Sequence, residues 1–425
     1  MSAMIEEKLR ALGCEAWELT ETRETRWEFY FIGHKLDQNR SVTIHSTEVK
    51  VYEKSADGAF LGSASDVISP TASEADVDRI LAGLRFQASL VKNPCYTLTS
   101  TPVSVENREE PVDVAAIAKD FIRAFDAVPE TPVKRLNSYE IHVSGFSRRT
   151  LNSNGVAYTC TYPATLLDVV VNAKREGHEV EIYRLYRSGS CDGERLQADV
   201  ARIMTFAEDR LDAKPTPKLG TGTVLLSTED AVEVYRYFAA QVQADYVVRR
   251  ISSAEIGKPL MEDVTGDAIT LTALPYLPNS SLNTPVDREG NEVRKRILIA
   301  DGMVEGFWGS RQFSQYLGLE QSSLLTNAAV GGGSQTEAEL RRQDYLEVVE
   351  FSSFDVDPMS GDIAGEIRLG YHHHDGVTDI VTGGSVSGSL AEAAKGMRMS
   401  KETVQYDRWQ IPAVTLLPGL RIAGA

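Results

Sequence analysis

The chain has 425 residues, of which 42% are hydrophobic and 25% are charged, a balance typical of globular proteins. Its 44 lysines and arginines against 61 acidic residues give a formal charge of −17, which disfavours a nucleic-acid-binding surface because phosphate neutralisation needs clustered cations. The N-terminus lacks the basic and apolar regions of a signal peptide, and no later run approaches the ~18 apolar residues of a membrane span. We expect a cytoplasmic protein of roughly two or three domains, with no nucleic-acid or membrane partner.

The first hundred residues predict an N-terminal module of helices and strands. Helical spacing over residues 4–12 is followed by strand patterns between residues 26 and 63. A second helix follows, with Thr71 and Glu74 at the spacing of a capping box. Its predicted apolar stripe consists of Val77, Ile80, Leu84, Ala88 and Val91. The module spans residues 1–100.

A polar stretch over residues 101–110 predicts a linker to a middle module at 111–211. This module is expected to begin with a helix, continue as hairpins with tight turns at Asn154-Gly155 and Glu176-Gly177, and end with a helix over Glu194–Leu211. The four cysteines are widely spaced and form no Cys-x-x-Cys pair, which predicts small buried hydrophobic side chains rather than a zinc site. They are Cys14, Cys95, Cys160 and Cys191.

A third, C-terminal domain is predicted over residues 222–425. A short buried strand leads into a helix for which Ser227 is the predicted N-cap. Between Asn283 and Trp308, turn signals at 288–290 and at Asp301-Gly302 flank an apolar strand. The whole pattern predicts an α+β fold, with N-terminal α/β modules on small sheets and a mostly antiparallel, β-rich C-terminal domain.

Several strings resemble the TldD/PmbA family, whose members include zinc metallopeptidases and proteins described as modulators of DNA gyrase. GAFLGSASDVIS is similar to the strand end of the family's N-terminal module, and LNSNGVAY is similar to its Asn-Ser-x-Gly-Val turn. The run from Asn283 to Trp308 is similar to the family segment with an Asp-x-Glu-Gly turn, and YDRWQIPAVTLLPGLRIAG is similar to its C-terminal end. The resemblance covers nearly the full length and implies a TldD/PmbA-like fold.

The resemblance also implies a zinc site whose residues are missing here. In the peptidase branch, the helix after the buried strand carries His-Glu-x-x-x-His, and a cysteine near the C-terminus completes the site. Counted without gaps from Ser227, the motif positions are Arg236, Tyr237 and Gln241. Arginine is a permanent cation, and tyrosine and glutamine do not replace glutamate and histidine at neutral pH. No cysteine follows Cys191, so the chain resembles the PmbA (TldE-like) branch, whose members lack the motif.

The leading hypothesis is a non-catalytic subunit of a TldD/TldE-type cytoplasmic metallopeptidase system acting on unfolded peptides. The expected partner is a TldD-like zinc-bearing paralogue, or a second copy in a dimer. We expect no catalytic residue and no cofactor in this chain itself, and zinc only through the partner subunit.

Two alternatives stay open. The first is a homodimeric metal-dependent peptidase, a hydrolase with a relocated metal site at His372, His374 and Asp375, in the only histidine cluster of the chain. A solvated turn explains that cluster more simply, and the other histidines, at positions 34, 45, 142 and 178, are interpreted as single surface or core residues. The second is a module that binds a peptide or protein without a protease partner.

Overall fold

A computed structural model describes residues 2–100, 104–319 and 322–425. The helices are α1 (Ser2–Ala11), α2 (Glu74–Leu90), α3 (Val114–Asp126), α4 (Gly193–Leu211), α5 (Ala231–Gln241), α6 (Ala244–Val248), α7 (Arg311–Tyr316), α8 (Glu337–Leu340) and α9 (Leu390–Ala393), the last followed by a 3-10 turn at Ala394–Gly396. None of the helices in the described ranges is long and apolar enough to cross a membrane.

The strands form three sheets. They are β1 (Ala16–Ile32), β2 (Lys35–Lys54), β3 (Leu61–Ile68), β4 (Lys134–Asn152), β5 (Ala157–Arg175), β6 (His178–Ser188), β7 (Lys214–Pro215), β8 (Gly220–Leu226), β9 (Leu271–Leu274), β10 (Arg296–Ala300), β11 (Met303–Val304), β12 (Asn327–Val330), β13 (Tyr345–Val356), β14 (Asp362–His374), β15 (Val377–Thr382), β16 (Ser385–Ser389), β17 (Arg398–Met399), β18 (Thr403–Tyr406), β19 (Trp409–Pro412) and β20 (Thr415–Ala423). The α+β prediction is confirmed.

The N-terminal half of the chain forms one antiparallel sheet of six strands in the order β3-β2-β1-β4-β5-β6. Strand β1 pairs with β4 along most of its length, so strands from both predicted N-terminal modules share this sheet. The predicted boundaries at 1–100 and 111–211 stay predictions. Part of the predicted linker, residues 101–103, lies outside the described residues, whereas Ser104 and Arg108 contact Glu292 and Thr159 through hydrogen bonds.

One face of this sheet is covered by helices because its apolar residues alternate along the strands. Odd-numbered residues at the two ends of β1 belong to two neighbouring cores on the same face, Trp17 and Leu19 to one and Trp27, Phe29 and Phe31 to the other. Helices α1 and α2 pack on the first core and α3 and α4 on the second. The even-numbered residues of β1 therefore point to the opposite face of the sheet.

Helix α2 begins later than the sequence predicted. Its N-cap is Ser73, whose hydroxyl oxygen accepts a hydrogen bond from the Asp76 backbone N–H, and the Asp76 carboxylate accepts one from the Ser73 N–H in return. The predicted Thr71–Glu74 box is wrong because Thr71 bonds instead to the Ser69 hydroxyl, at 2.9 Å. Val91 lies beyond the helix end and is 40% exposed, so it is not part of the buried stripe.

The thiols also differ partly from the expectation. All four cysteines are free. Cys14 and Cys160 are buried, as predicted, whereas Cys191 is half-buried and Cys95 is exposed. The prediction failed at Cys95 because it lies in an irregular segment at the surface, where its thiol contacts the Gly58 carbonyl oxygen at 3.2 Å.

The C-terminal half contains the other two sheets, in the orders β11-β10-β9-β12-β19-β18 and β13-β8-β20-β16-β14-β15-β7. Strands β13 and β14 also pair with each other, so β13, β8, β20, β16 and β14 form a closed ring. The main core of this half packs between the two sheets and includes the buried face of α5. The predicted turn at Asp301-Gly302 joins β10 and β11, and both of its residues have positive φ angles, 46° and 80°.

Helix α5 begins after a short irregular step rather than at a Ser227 cap. Its N-terminal flanking residue is Asp230, whose side chain makes no capping hydrogen bond. The Ser227 hydroxyl donates instead to the Glu347 carboxylate of β13, at 2.6 Å. The predicted cap is wrong because a tertiary partner on the adjacent strand takes the hydroxyl.

Candidate functional site

A cavity of about 1000 Å³ lies between the N-terminal sheet and the C-terminal half. Strand β6 and helix α4 form one wall, and helix α5 with the β18–β19 hairpin forms the other. Its arginines are Arg184, Arg187, Arg195, Arg202, Arg236 and Arg408, and its acids are Asp192, Asp199, Glu229, Asp230, Glu233 and Asp407. Its aromatic residues are Phe121, Tyr186, Phe206, Tyr246, Trp308, Phe354, Tyr406 and Trp409. The described lining therefore carries six cations and six anions, and it includes neither histidine nor cysteine.

Helix α5 presents two different faces because of its 3.6-residue period. Val234, Tyr235 and Phe238 are buried in the core between the sheets. The opposite face, with Glu233 and Arg236, borders the cavity. The Arg236 guanidinium donates to the Glu233 carboxylate at 2.6 Å, one turn back along the helix.

The structure separates the three positions that the sequence aligned with the zinc motif. Arg236 lines the cavity, whereas Tyr237 and Gln241 do not. Tyr237 packs against Gly361, where an added Cβ would lie 3.1 Å from its ring. The Gln241 side-chain amide donates to the Pro358 carbonyl oxygen at 3.0 Å.

These side chains do not fit a zinc ion. A guanidinium has no lone pair to offer and remains positively charged at any physiological pH. Burial raises the pKa of Tyr237, so its phenol stays protonated, and the amide of Gln241 is committed to a backbone carbonyl. The cavity face of α5 therefore carries a cation at the position where the motif's first histidine would stand.

A cluster of partly desolvated charges lies at one end of the cavity, and sequence reasoning missed it. Arg184 of β6 bonds to Glu350 of β13, and their side chains are only 11% and 13% exposed. Glu229 lies 3.9 Å from the same guanidinium, and Asp230 follows it at the start of α5. Burial raises the pKa of both Glu229 and Glu350 to about 7, although Arg184 attracts each carboxylate, and burial raises the pKa of Asp230 as well.

This cluster gathers three acids around one arginine, and Arg184 and Glu350 are largely buried whereas the Glu229 side chain is 39% exposed. Glu229 and Glu350 therefore exchange protons near neutral pH, and the acids of the cluster can bind a cationic group of a ligand when they are ionised. Its members come from three distant segments, so the only sequence signal was an acidic pair, Glu229-Asp230, directly after a buried strand.

The histidine cluster lies at the end of β14, away from the cavity lining. The rings of His372 and His374 stack with centroids 4.4 Å apart, as expected for alternate residues of one strand. His374 bonds to Asp379 at 3.0 Å, which raises the pKa of its imidazole. The Asp375 side chain is 94% exposed in a tight turn, 3.8 Å from the His374 Nδ1 atom. His374 thus already has a carboxylate partner, and Asp375 points into solvent.

Comparison with known proteins settles the family. Residues 219–424 match the family model described as the PmbA/TldA metallopeptidase C-terminal domain. This region belongs to the TldD/PmbA family. The resemblance seen in the sequence is therefore confirmed, and the matched residues include α5 and the three positions where the zinc motif is absent.

Solved structures extend the likeness in fold to the whole chain. TldE from Thermococcus kodakarensis superposes with a TM-score of 0.75 at 15% identity, covering 99% of this chain and 100% of that one. A putative modulator of a DNA gyrase from Thermotoga maritima gives a TM-score of 0.78 at 14% identity, covering 100% of both chains. A similarly described protein from Bacteroides thetaiotaomicron gives 0.77 at 14% identity, covering 100% of this chain and 99% of that one.

One curated relative is a metalloprotease from Archaeoglobus fulgidus, which is 22% identical over 211 residues. The match covers 46% of this chain and 49% of that protein, so it spans about half the length of each. The C-terminal region matched by the family model is therefore metallopeptidase-related.

Proposed function

We propose that this chain is a non-catalytic subunit of a TldD/TldE-type peptidase system. It binds an unfolded peptide in the cavity between its two halves, and a TldD-like zinc-bearing partner carries out the hydrolysis. The observation that carries the proposal is the face of α5 that borders the cavity, where Arg236 stands in place of a metal ligand.

The composition of the cavity supports a peptide as the ligand. Its volume, about 1000 Å³, is at the upper end of the range for small-molecule sites and accommodates a short peptide segment. Aromatic side chains such as Trp308 and Tyr406 offer apolar contact area, and arginines and carboxylates offer partners for side chains of either charge. Such a lining favours binding with little sequence selectivity, which suits an unfolded substrate.

The likeness to TldE in fold supports the choice of a partnered system over a lone enzyme. The charge cluster at Arg184 offers acid–base groups, but a peptide bond also needs an activated water or a nucleophile. The described cavity lining provides no histidine or cysteine for that purpose.

A cleavage assay tests the proposal. The purified chain is mixed with casein or an unfolded peptide, alone and together with a family member from the same organism that carries His-Glu-x-x-x-His. We expect no cleavage by the chain alone and chelator-sensitive cleavage by the pair. Chelator-sensitive cleavage by the chain alone would contradict the proposal, and the same activity in a His372→Ala/His374→Ala variant would also exclude the relocated site.

Binding is tested separately with a fluorescent peptide. The substitution Arg236→Trp fills part of the cavity from a side chain that is 55% exposed and outside the core. We expect it to weaken peptide binding about tenfold, the cost of losing roughly 1.4 kcal/mol of contacts. The control Arg10→Trp makes the same change on α1, at a side chain that is 73% exposed and remote from the cavity lining. Equal affinities of the two variants would place the peptide outside the cavity.

A further inference from the structure

A cluster of metal-binding side chains lies on the face of the N-terminal sheet that the helices leave uncovered. Glu140 and His142 alternate along β4 on either side of Ile141, whose side chain is fully buried under the helices. Asp168 of β5 lies directly opposite Glu140 in the antiparallel register. The period-2 geometry of the strands therefore brings the three side chains together on one face.

The donor atoms of these residues lie at distances close to those of a metal site. His142 Nε2 is 3.1 Å from Glu140 Oε2 and 3.9 Å from Asp168 Oδ2, and all three donor atoms lie within 4.8 Å of one another. Around a tetrahedral zinc ion with bonds of about 2.0–2.2 Å, neighbouring ligand atoms lie about 3.4 Å apart. Small side-chain movements therefore suffice to close the three atoms around an ion.

A third carboxylate lies on the other side of the histidine ring. Glu28 of β1 pairs with His142 across the strands, and its Oε1 atom lies 3.9 Å from His142 Nδ1. Its side chain is only 2% exposed and is held by Arg40, by Arg26 at 3.0 Å, and by the Tyr30 hydroxyl at 2.8 Å. Although burial opposes ionisation, the hydrogen bonds from Arg40 and Tyr30 lower the pKa of Glu28, which keeps it anionic.

This arrangement has the layout of a metal-binding histidine with its supporting carboxylate. The Glu28 carboxylate acts on the imidazole through its charge, since 3.9 Å is too long for a hydrogen bond, and the Nε2 atom faces Glu140 and Asp168. His142 Nε2 already lies within hydrogen-bond distance of Glu140, and a metal ion bound between the three donor atoms would take the place of that hydrogen bond. The Tyr183 hydroxyl donates to the other oxygen of Asp168, and the Tyr30 ring packs edge-on against the imidazole, with centroids 5.9 Å apart.

We propose that Glu140, His142 and Asp168 bind a divalent transition-metal ion, with Glu28 as the supporting carboxylate of His142. One imidazole and two carboxylates suit Zn²⁺ or a similar borderline ion, and water fills the remaining positions. The ion ties β4 to β5 directly and to β1 through Glu28, and so links strands from both predicted N-terminal modules.

This metal site is separate from the peptide cavity. Leu167 lines the cavity and its neighbour Asp168 lies in the metal cluster, so adjacent residues of β5 point to opposite faces of the sheet. None of the three proposed ligands is among the residues that line the cavity, so the ion would stabilise the sheet without being part of the peptide site. The proposal does not depend on the proposed peptidase role.

The test is zinc binding to chelator-treated protein, measured by isothermal titration calorimetry and by metal content after dialysis. The full-length His372→Ala/His374→Ala variant serves as the parent, because neighbouring imidazoles bind zinc adventitiously. We expect one zinc ion per chain. We also expect His142→Ala and Asp168→Asn to lower the affinity at least a hundredfold, and Glu28→Gln to lower it 10- to 100-fold. His45→Ala, which removes an exposed histidine from the same sheet, serves as the matched control.

Circular dichroism of each metal-free variant tests whether it is folded. If His142→Ala unfolds the sheet, the more conservative variant Asp168→Asn still tests the site. Zinc should also raise the melting temperature of the parent but not that of either ligand variant. Zinc affinity that is unchanged by both ligand substitutions, or an absence of binding by the parent at micromolar zinc, would overturn the proposal.

Discussion

At the scale of single residues, Arg184 links the two halves of the chain. It projects from β6 into the end of the cavity and pairs there with Glu350 of β13, and the two side chains are 11% and 13% exposed. Removing one partner of a buried ion pair leaves an uncompensated charge in a medium that solvates it poorly. Glu229 and Asp230 lie around the same guanidinium and would lose its attraction as well.

We therefore predict that Arg184→Met lowers the free energy of unfolding by about 3–5 kcal/mol. Urea denaturation followed by circular dichroism measures the change. The control is Arg249→Met. The Arg249 side chain is 59% exposed and pairs with Asp245, so its loss should cost about 1 kcal/mol or less. Similar losses in the two variants would show that Arg184 is better solvated than its contacts indicate.

A second prediction at the residue scale concerns Glu229 and the dependence of stability on pH. Burial raises its pKa to about 7, above the value of about 4.3 for an unfolded chain. Between these values the folded chain binds more protons than the unfolded chain, so the free energy of unfolding falls as pH rises from about 4.5 to 7. Above this window the contribution levels off.

Replacing Glu229 by Gln removes its share of this dependence. We expect the fall of the melting temperature between pH 5 and 7.5 to become shallower in Glu229→Gln, while Glu350, with a similarly raised pKa, retains its own share. Glu74→Gln on α2, where the side chain is 79% exposed, is the control and should leave the profile unchanged. A profile for Glu229→Gln identical to that of the parent would refute the assignment.

At the scale of elements, the start of α2 distinguishes the observed cap from the one expected from the sequence. Ser73 and Asp76 exchange side-chain and backbone hydrogen bonds, whereas Thr71 bonds only within the preceding turn. We predict that Ser73→Ala costs about 1 kcal/mol of stability and that Thr71→Ala costs a few tenths at most. Thermal unfolding of both variants measures the difference, and a larger loss for Thr71→Ala would restore the sequence-based cap.

Elements governed by local chemistry could be predicted from the sequence. The turn at Glu176-Gly177 forms as expected because both residues adopt positive φ angles, 51° and 86°. Helix α4 extends over Gly193–Leu211, one residue longer than predicted, because apolar spacing and a following proline define it. The Ser227 cap failed because its partner, Glu347, lies 120 residues away and no local pattern contains it.

In the candidate sites, too, features set by neighbouring residues could be predicted from the sequence, whereas contacts between distant residues could not. The motif count pointed to α5, and of its three positions only Arg236 borders the cavity. The pairing of Arg184 with Glu350 and of His142 with Asp168 depends on strand register and on packing between the halves. His142 was therefore interpreted as a solitary residue, although Glu140, two positions earlier on the same strand face, was a partial signal.

At the scale of the whole molecule, the two faces of the N-terminal sheet have different roles. On the helix-covered side, β6 and α4 form one wall of the cavity. The opposite face of the sheet carries the cluster around His142. The cavity lies between the sheet and the C-terminal half, so neither half encloses a peptide without the other. The proposed peptide binding would therefore depend on both halves, and an approaching peptide would meet the electric field of the whole chain.

The last prediction concerns how this electric field affects the rate of peptide association. The chain carries a formal charge of −17, whereas the cavity lining has six arginines and six acids and is formally neutral. A peptide is therefore steered by the outer surface before it meets the cavity, and steering weakens as salt shortens the range of charge interactions. We predict that a cationic unfolded peptide associates about tenfold faster at about 10 mM salt than at about 150 mM.

Stopped-flow fluorescence measures the association rate, since Trp308 and Trp409 line the cavity and respond to an occupant. An anionic peptide of the same length and apolar content is the matched control, and its rate should rise with salt because screening relieves repulsion. Dissociation rates should change less for either peptide, because they depend on contacts inside a formally neutral lining. Faster association of the anionic peptide at low salt would mean that the six arginines of the cavity, rather than the acidic outer surface, control peptide entry.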